Sequence, residues 1–226
     1  MKKNWLFVFA IALIANLVGV YLKNEILIYI TKPFIVISLI LYFLSATAGI
    51  TNGLKKLITV ALFFSLLGDV LLMFESSDKN FFLFGLVAFL SAHVFYIISF
   101  KKISTGEKLR LKWLLILPVL IYYGGLMYLL NPHLGDMLWA VRVYGFVIST
   151  MFLLALHMLF IKNKRAGKLM MFGALLFVAS DSILAINKFY LPFEFAGIFI
   201  MLTYGLAQLL ITLGAANYVN FISGNE

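Results

Sequence analysis

The 226-residue sequence contains no cysteine and little charge. Without cysteine, a disulfide, a thiolate nucleophile and a thiolate-bound metal are excluded. Charged residues make up 12% of the chain, against about 25% in soluble domains, whereas hydrophobic residues make up 64% and the mean hydropathy is +1.06. Only four prolines are present, and no Ser/Pro-rich stretch marks a linker. These values predict an integral membrane protein with a single domain, residues 1–226.

The sequence also lacks the common motifs of several enzyme classes. It contains no GxSxG serine elbow, no glycine-rich phosphate loop and no HExxH or HxxxH pair. A serine lipase and an ATP-driven pump are therefore disfavoured. A zinc hydrolase is disfavoured too, because the three histidines fall at three different depths of the predicted helices. We expect no metal and no cofactor, which leaves acid/base catalysis by carboxyl groups as the candidate chemistry.

Apolar runs long enough to cross a bilayer recur along the whole chain. A spanning helix needs ~20 mostly apolar residues to cross ~30 Å of hydrocarbon. The first run follows Lys2 and Lys3, as in a secretory signal, but no small-residue cleavage site follows it, so we expect it to be retained. The prediction is an all-α membrane protein with eight transmembrane helices near residues 4–22, 26–46, 57–74, 81–100, 111–130, 138–161, 169–187 and 197–219.

The net charge of +9 comes from basic residues that are unevenly distributed between the loops. When the loops are assigned to alternate sides, one side receives thirteen basic residues and the other only Lys23, Lys79 and Lys188. An excess of Lys and Arg marks the cytoplasmic side of a membrane protein. We therefore expect both termini to be cytoplasmic. Because the basic loops account for the charge, no nucleic-acid partner is expected.

Only two of the nine acidic residues fall well inside predicted helices: Asp69 in SLLGDVLL and Asp181 in VASDSILA. A charge near the bilayer centre costs ~2.5 kcal/mol or more, so such a residue is a functional candidate by default. The two flanking sequences resemble each other, and helices 3 and 7 run in the same direction. This similarity indicates a parallel four-plus-four internal repeat, which would bring the two acids together near an axis normal to the membrane.

Other polar residues lie at similar depths. Counting 1.5 Å per residue, the two aspartates, Lys32 in helix 2 and Tyr204 in helix 8 all lie about 8 to 10 Å below the non-cytoplasmic ends of their helices. His93 and Gln208 lie deeper, at about 16 to 18 Å. We infer an elongated cavity that opens to the non-cytoplasmic leaflet.

Simpler explanations exist for each of these residues. Either aspartate could form a structural ion pair with Lys32 or Arg142, since membrane charges often neutralise one another. Lys32 could instead extend its ammonium group to the interface. The remaining polar side chains could be ordinary hydrogen-bonding groups between helices: His93, Tyr204 and Gln208.

Five stretches, in order from helix 2 to helix 8, resemble successive motifs of the YhhN-like lysoplasmalogenases, which are eight-helix membrane proteins. The stretches are TKPF, SLLGDVLLMF, GLVAFLSAHVFYIISF, GALLFVASDSILAINKF and TYGLAQLLITLGA. The most specific feature is the pairing of GD with SD around AHxxY. The resemblance implies a multipass membrane hydrolase, in the inner membrane if bacterial, whose partners are membrane lipids and a lysophospholipid substrate. Its expected reaction cleaves the vinyl-ether bond of a lysoplasmalogen to a fatty aldehyde and a glycerophospho-base.

The resemblance also implies residue roles. Asp69 and Asp181 correspond to the expected catalytic residues, and five further residues match motif positions that would line the substrate site: His93, Tyr96, Asn187, Tyr204 and Gln208. Hydrolysis of a vinyl ether requires a proton on the alkenyl carbon and capture of the resulting cation by water. We expect one aspartate to be a protonated general acid and the other, near Lys32, to be ionised, and we expect Lys32 itself to contribute to the substrate site. If the helices are straight, His93 lies too deep to reach both aspartates.

Two other functions use the same features. A proton-coupled transporter would need the acid pair and the repeat, and would move its substrate without forming a product. A lipid-binding protein would need the cavity alone and would tolerate Asp→Asn at both positions. The head group, the chain length and the oligomeric state are left open by the sequence.

Overall fold

The computed structural model describes residues 2–78 and 80–224. Within these residues all regular secondary structure is helical, and eight helices are long and apolar enough to span a membrane. The helices are α1 (Lys2–Tyr21), α2 (Glu25–Ala46), α3 (Gly53–Met73), α4 (Asn80–Gly106), α5 (Ile116–Leu130), α6 (Leu138–His157), α7 (Lys164–Ala185) and α8 (Ala196–Ile222). The prediction of an all-α chain with eight such helices is confirmed.

Asparagine side chains fix the starts of three helices. The Oδ1 atoms of Asn24, Asn52 and Asn163 accept hydrogen bonds from backbone N–H groups three residues ahead, at 2.8 to 3.0 Å. Such caps satisfy donors that have no partner within the helix. The cap at Asn52 explains why α3 begins at Gly53, earlier than the predicted start at residue 57, because hydrophobicity alone does not mark a capped polar turn.

Consecutive helices pack as antiparallel pairs, α1 with α2, α3 with α4 and α7 with α8. The α7–α8 pair packs tightly, because glycines allow the two backbones to approach. A Cβ atom at Gly173 would lie 2.8 Å from the backbone nitrogen of Ile211 and 2.9 Å from the carbonyl oxygen of Ala207. In membranes, lipid is as apolar as the side chains, so helices associate largely through close packing. Small residues permit that packing. Helix α8 also contacts α1, α2 and α3, so it holds the centre of the bundle.

The even-numbered helices α2, α4, α6 and α8 all begin at one end of the bundle, which we call the mouth side. At this end α7 does not stop at Ala185 but continues into a π-helical turn, Ile186–Tyr190. Turns of this kind are rare and often occur at functional sites. The distribution of basic residues predicts that the mouth side is the non-cytoplasmic side. This orientation stays a prediction, and so does the internal repeat. Lys79, which was counted on this side, lies outside the described residues.

Candidate active site

The two intramembrane aspartates line one cavity of about 190 Å³ on the mouth side of the bundle. Asp69 comes from α3 and Asp181 from α7, so the structure brings together two acids that are far apart in sequence. Lys32 from α2, Tyr144 from α6 and Tyr204 from α8 also contribute polar groups to the lining. The remaining wall is mainly apolar and includes Phe82 and Phe89 from α4.

Asp69 lies at the end of a chain of hydrogen bonds. Its side chain is only 2% exposed, and its Oδ2 accepts a hydrogen bond from the Tyr204 hydroxyl at 2.6 Å. The Tyr204 hydroxyl in turn accepts from the Gln208 amide at 3.4 Å, and the Gln208 carbonyl accepts from the Tyr96 hydroxyl at 2.9 Å. On the other side, Lys32 Nζ lies 3.8 Å from Asp69 Oδ1. One carboxyl oxygen therefore faces a cation and the other a tyrosine held by a buried amide.

Asp181 has a different set of neighbours. Its Oδ2 accepts a hydrogen bond from the Tyr144 hydroxyl at 2.5 Å, and His93 Nε2 lies 3.9 Å from the same oxygen. The His93 ring is fully buried, and neither of its nitrogens has a hydrogen-bond partner among the described residues. It packs edge to face on Tyr144 and Phe177, with ring centroids 5.3 and 4.7 Å apart. An imidazole therefore lies within salt-bridge distance of Asp181. Among the described side chains, no Lys or Arg lies within that distance of it.

The predicted substrate residues fall into three positions. Lys32 and Tyr204 line the cavity. His93, Tyr96 and Gln208 lie behind it, where they contact Asp181 or support Tyr204. Asn187 lies in the π-helical turn, where its Oδ1 accepts a hydrogen bond from the Phe193 backbone at 3.1 Å and so shapes the loop between α7 and α8.

Arg142 does not contact either aspartate. Its Nε donates to Asn131 Oδ1 at 3.1 Å, and its guanidinium lies over the Trp139 ring at 5.3 Å. These contacts belong to the start of α6, at the boundary of the bundle, where an arginine and a tryptophan commonly anchor a helix to the interface.

Tyr144 is the site residue that the sequence reasoning missed. It lies six residues into α6, which begins at Leu138, and is therefore about 9 Å from the mouth side. The depth count that singled out Lys32 and Tyr204 would have selected Tyr144 as well, had it been applied to helix 6.

A wider vestibule of about 960 Å³ lies between the cavity and the mouth side. Its lining carries both signs of charge, from Glu25, Lys32, Glu75, Asp136 and Lys188. Three aromatic side chains lie among them: Tyr29, Phe82 and Phe189. Cavity and vestibule share five residues, which are Lys32, Leu72, Glu75, Phe82 and Phe189, so the two spaces adjoin.

An ion pair crosses the boundary between vestibule and cavity. Lys188, in the π-helical turn, pairs with Glu75 just after α3. The same ammonium group lies 4.0 Å from the centre of the Phe82 ring, which packs edge to face against Phe189 at 5.9 Å. The irregular end of α7 therefore supplies two of these four side chains, Lys188 and Phe189.

No group of three or more His, Cys, Asp or Glu side chains in the described ranges, 2–78 and 80–224, is arranged to hold a metal ion. The ionisable groups that line the cavity are three carboxyls, two phenols and one ammonium, and one of the three carboxyls, that of Glu75, is paired with Lys188. Ser180 also lines the cavity, but its hydroxyl donates to the Ile200 carbonyl at 3.0 Å. This set can transfer protons and stabilise charge.

The fold and the site define a multipass membrane protein with two aspartates from different helices in one cavity. The sequence model of the YhhN family matches residues 27–215, so the chain belongs to the YhhN family, as the motif resemblance predicted. No solved structure matches the chain.

Several curated relatives are similar over most of the chain. Lysoplasmalogenase TMEM86B of Sus scrofa is 34% identical over 181 residues, which are 80% of this chain and 72% of the relative. Lysoplasmalogenase TMEM86B of Homo sapiens is 33% identical over 168 residues, 73% of this chain and 66% of the relative. Lysoplasmalogenase TMEM86A of Homo sapiens is 35% identical over 167 residues, 70% of this chain and 64% of the relative.

Proposed function

We propose that this protein is an ether-lipid hydrolase that cleaves the vinyl-ether bond of lysoplasmalogens to a fatty aldehyde and a glycerophospho-base. The single observation that carries the proposal is the pair of aspartates lining one small, mainly apolar cavity. The names of the relatives, all lysoplasmalogenases, support the same reaction. They give no support to a transporter or to a lipid-binding protein without activity.

Asp69 is the ionised carboxylate. Lys32 faces one of its oxygens and the Tyr204 hydroxyl donates to the other, and both neighbours favour the charged form. From this position the carboxylate can orient a water molecule and stabilise a positive charge on the substrate.

Asp181 is the general acid. Among the described residues its one basic neighbour is His93, which is fully buried and has no hydrogen-bond partner in that part of the chain, and a buried imidazole of this kind is more stable without charge. Burial without a cation favours the neutral carboxyl group. Since Tyr144 and His93 both face Oδ2, Oδ1 is the oxygen left to carry the proton.

The reaction then balances in three steps. Asp181 gives its proton to the alkenyl carbon next to the ether-bearing carbon, which forms an oxocarbenium ion next to the Asp69 carboxylate. Water adds to the cation and passes a proton to Asp69, which gives a hemiacetal. Asp69 returns this proton to the ether oxygen while the Asp181 carboxylate takes the hydroxyl proton, so that aldehyde and glycerophospho-base separate and both carboxyl groups regain their starting states.

The substrate's head group occupies the vestibule. A lysophospholipid has its phosphate and amine only a few bonds from the vinyl ether, and the vestibule offers cationic, anionic and aromatic side chains next to the cavity. An ester at the same position should react poorly. The Ser180 hydroxyl already donates to a backbone carbonyl oxygen, and the Tyr144 and Tyr204 hydroxyls already donate to the aspartates, so none of the three is free to attack an ester or to donate to a tetrahedral oxyanion.

The test is product analysis with purified protein in lipid nanodiscs. Three lysophospholipids with the same head group and chain length are compared: a vinyl ether, an ester and a saturated ether. Only the vinyl ether should release aldehyde, and in deuterated water that aldehyde should carry one deuterium at the carbon next to the carbonyl. Release of fatty acid from the ester at a comparable rate, or an aldehyde without deuterium, would overturn the proposal.

A further inference from the structure

A lipid-facing groove runs along the outside of the bundle between α4 and α6. This α4–α6 groove has a volume of about 310 Å³ and is lined chiefly by Leu86, Val87 and Leu90 on α4 and by Ala140, Val143 and Tyr144 on α6. Apart from the tyrosine hydroxyl, these side chains are entirely apolar. Val87 is 52% exposed and Val143 is 50% exposed, so the groove lies on the face that meets the hydrocarbon of the membrane.

The groove adjoins the candidate active site. Leu86 and Tyr144 line both the groove and the central cavity. The Tyr144 hydroxyl is the group that donates to Asp181. A molecule with one end beside Asp181 would enter the groove by passing between Leu86 of α4 and Tyr144 of α6.

The central cavity is too small for a whole lysolipid. Its volume of about 190 Å³ lies below the ~300–1,000 Å³ of ordinary small-molecule pockets. The side away from the mouth is filled by fully buried side chains: His93, Tyr96, Phe177 and Gln208. If the head group lies in the vestibule and the vinyl ether lies at the aspartates, the cavity has no room for the long hydrocarbon chain. The chain must therefore lie elsewhere.

We propose that the alkenyl chain of the substrate occupies the α4–α6 groove and extends from it into the bilayer. This inference rests on the proposed function and adds the location of the chain. It differs from the elongated cavity predicted from the sequence, because His93 and Gln208 are fully buried and do not line the cavity. Because lipid is as apolar as the groove, the chain can stay in hydrocarbon during catalysis and need not be extracted from the membrane.

Filling the groove tests the proposal. Ala140 is half-buried and lines the groove, so Ala140→Phe places a ring where the chain would lie. The matched control is Ala15→Phe. Ala15 is also half-buried and lines a lipid-facing apolar groove of about 280 Å³, between α1 and α2, which shares no lining residue with the central cavity.

The first readout is kcat/KM for a vinyl-ether substrate with a long chain and for one with a chain of four carbons. We expect Ala140→Phe to lower the long-chain value at least tenfold and to leave the short-chain value within twofold, which also reports correct folding. Ala15→Phe should change neither value more than twofold. Equal losses for both substrates in Ala140→Phe, no loss for either, or the same selective loss in Ala15→Phe would each overturn the proposal.

The second readout needs no catalysis, so it separates failure of this inference from failure of the proposed function. A saturated-ether lysophospholipid with a diazirine in its chain is photolysed with the protein, and a diazirine fatty alcohol without a head group gives the background. Labelling above background should fall on residues 83–90 and 139–144, and should be lost in Ala140→Phe but kept in Ala15→Phe. Labelling elsewhere, or no labelling above background, would contradict the assignment whether or not aldehyde is released.

Discussion

Replacing Tyr204 by phenylalanine tests whether hydrogen bonding at Asp69 supports the reaction. The substitution removes one hydroxyl, which donates to Asp69 Oδ2 at 2.6 Å, and keeps the ring that packs on Phe89 and Phe177. A hydrogen bond to a charged group contributes ~1.5–3 kcal/mol. If the bond keeps Asp69 in the ionised form that the reaction requires, its loss should reduce the fraction of active protein and lower kcat by up to roughly 10- to 150-fold.

Gln208 should act through Tyr204. Its amide donates to the Tyr204 hydroxyl over a long distance of 3.4 Å, so Gln208→Leu should cost less, about 1 kcal/mol or roughly fivefold in kcat. In the Tyr204→Phe background the hydroxyl is gone and the Gln208 substitution should have little further effect. The two effects would then be non-additive, as expected for groups in one network.

Aldehyde release by the two single variants and the double variant is the assay. Tyr218→Phe is the matched control, because Tyr218 is a buried tyrosine on the same helix that does not line the cavity. Its hydroxyl also donates to a carboxylate, that of Glu107, at a distance of 3.1 Å. Thermal unfolding of each variant separates activity from stability. Additive effects of Tyr204→Phe and Gln208→Leu, or a change in kcat of less than twofold in Tyr204→Phe, would refute the reasoning.

Three further predictions concern the other polar groups and the topology. Tyr144→Phe should lower kcat at least tenfold, because Asp181 loses its one hydroxyl donor; aldehyde release close to the wild-type rate would make Tyr144 a packing residue only. Lys32→Met should lower kcat roughly tenfold and should harm activity more than folding, because Asp69 can take up a proton when its cationic partner is lost. Arg142→Met serves as the control, and an equal loss there would remove the special role of Lys32. A tag in residues 101–112 should be protected from an external probe in intact cells, because thirteen basic residues mark that side as cytoplasmic. A tag in residues 131–137 should be reachable. The reverse pattern would mean that the mouth side faces the cytoplasm.

The number and approximate positions of the helices were predictable because a bilayer imposes a minimum length on each apolar run. The depth of each polar residue along its helix was also informative, because every helix has to cross the same thickness of bilayer. Two aspartates, Lys32 and Tyr204 share one level in the sequence count, and all of them line one cavity. Differences arose at helix ends, such as the start of α3, where a single capping asparagine decides the boundary.

Contacts between side chains were not predictable in the same way. The partner of each aspartate depends on how α4, α6 and α8 are rotated about their axes, and this rotation is set by packing around glycines and aromatic rings. The Glu75–Lys188 pair joins residues 113 positions apart in the sequence. Lys188 lies in a π-helical turn that no local sequence pattern predicts. Tyr144 was missed although its depth was available, and its pairing with Asp181 needed the position of α6 beside α7.

Aldehyde release by Asp69→Asn and Asp181→Asn tests the central claim most directly. Asparagine keeps the size and the hydrogen-bonding capacity of each side chain but cannot carry out acid/base catalysis. We predict that each variant inserts and folds like the wild type and loses on the order of 10²-fold or more in kcat for a vinyl-ether lysophospholipid. Asp78→Asn, at an exposed loop position, should keep the wild-type rate. Wild-type aldehyde release by either cavity variant would contradict the account, because the acid it lacks would then play no part in the reaction.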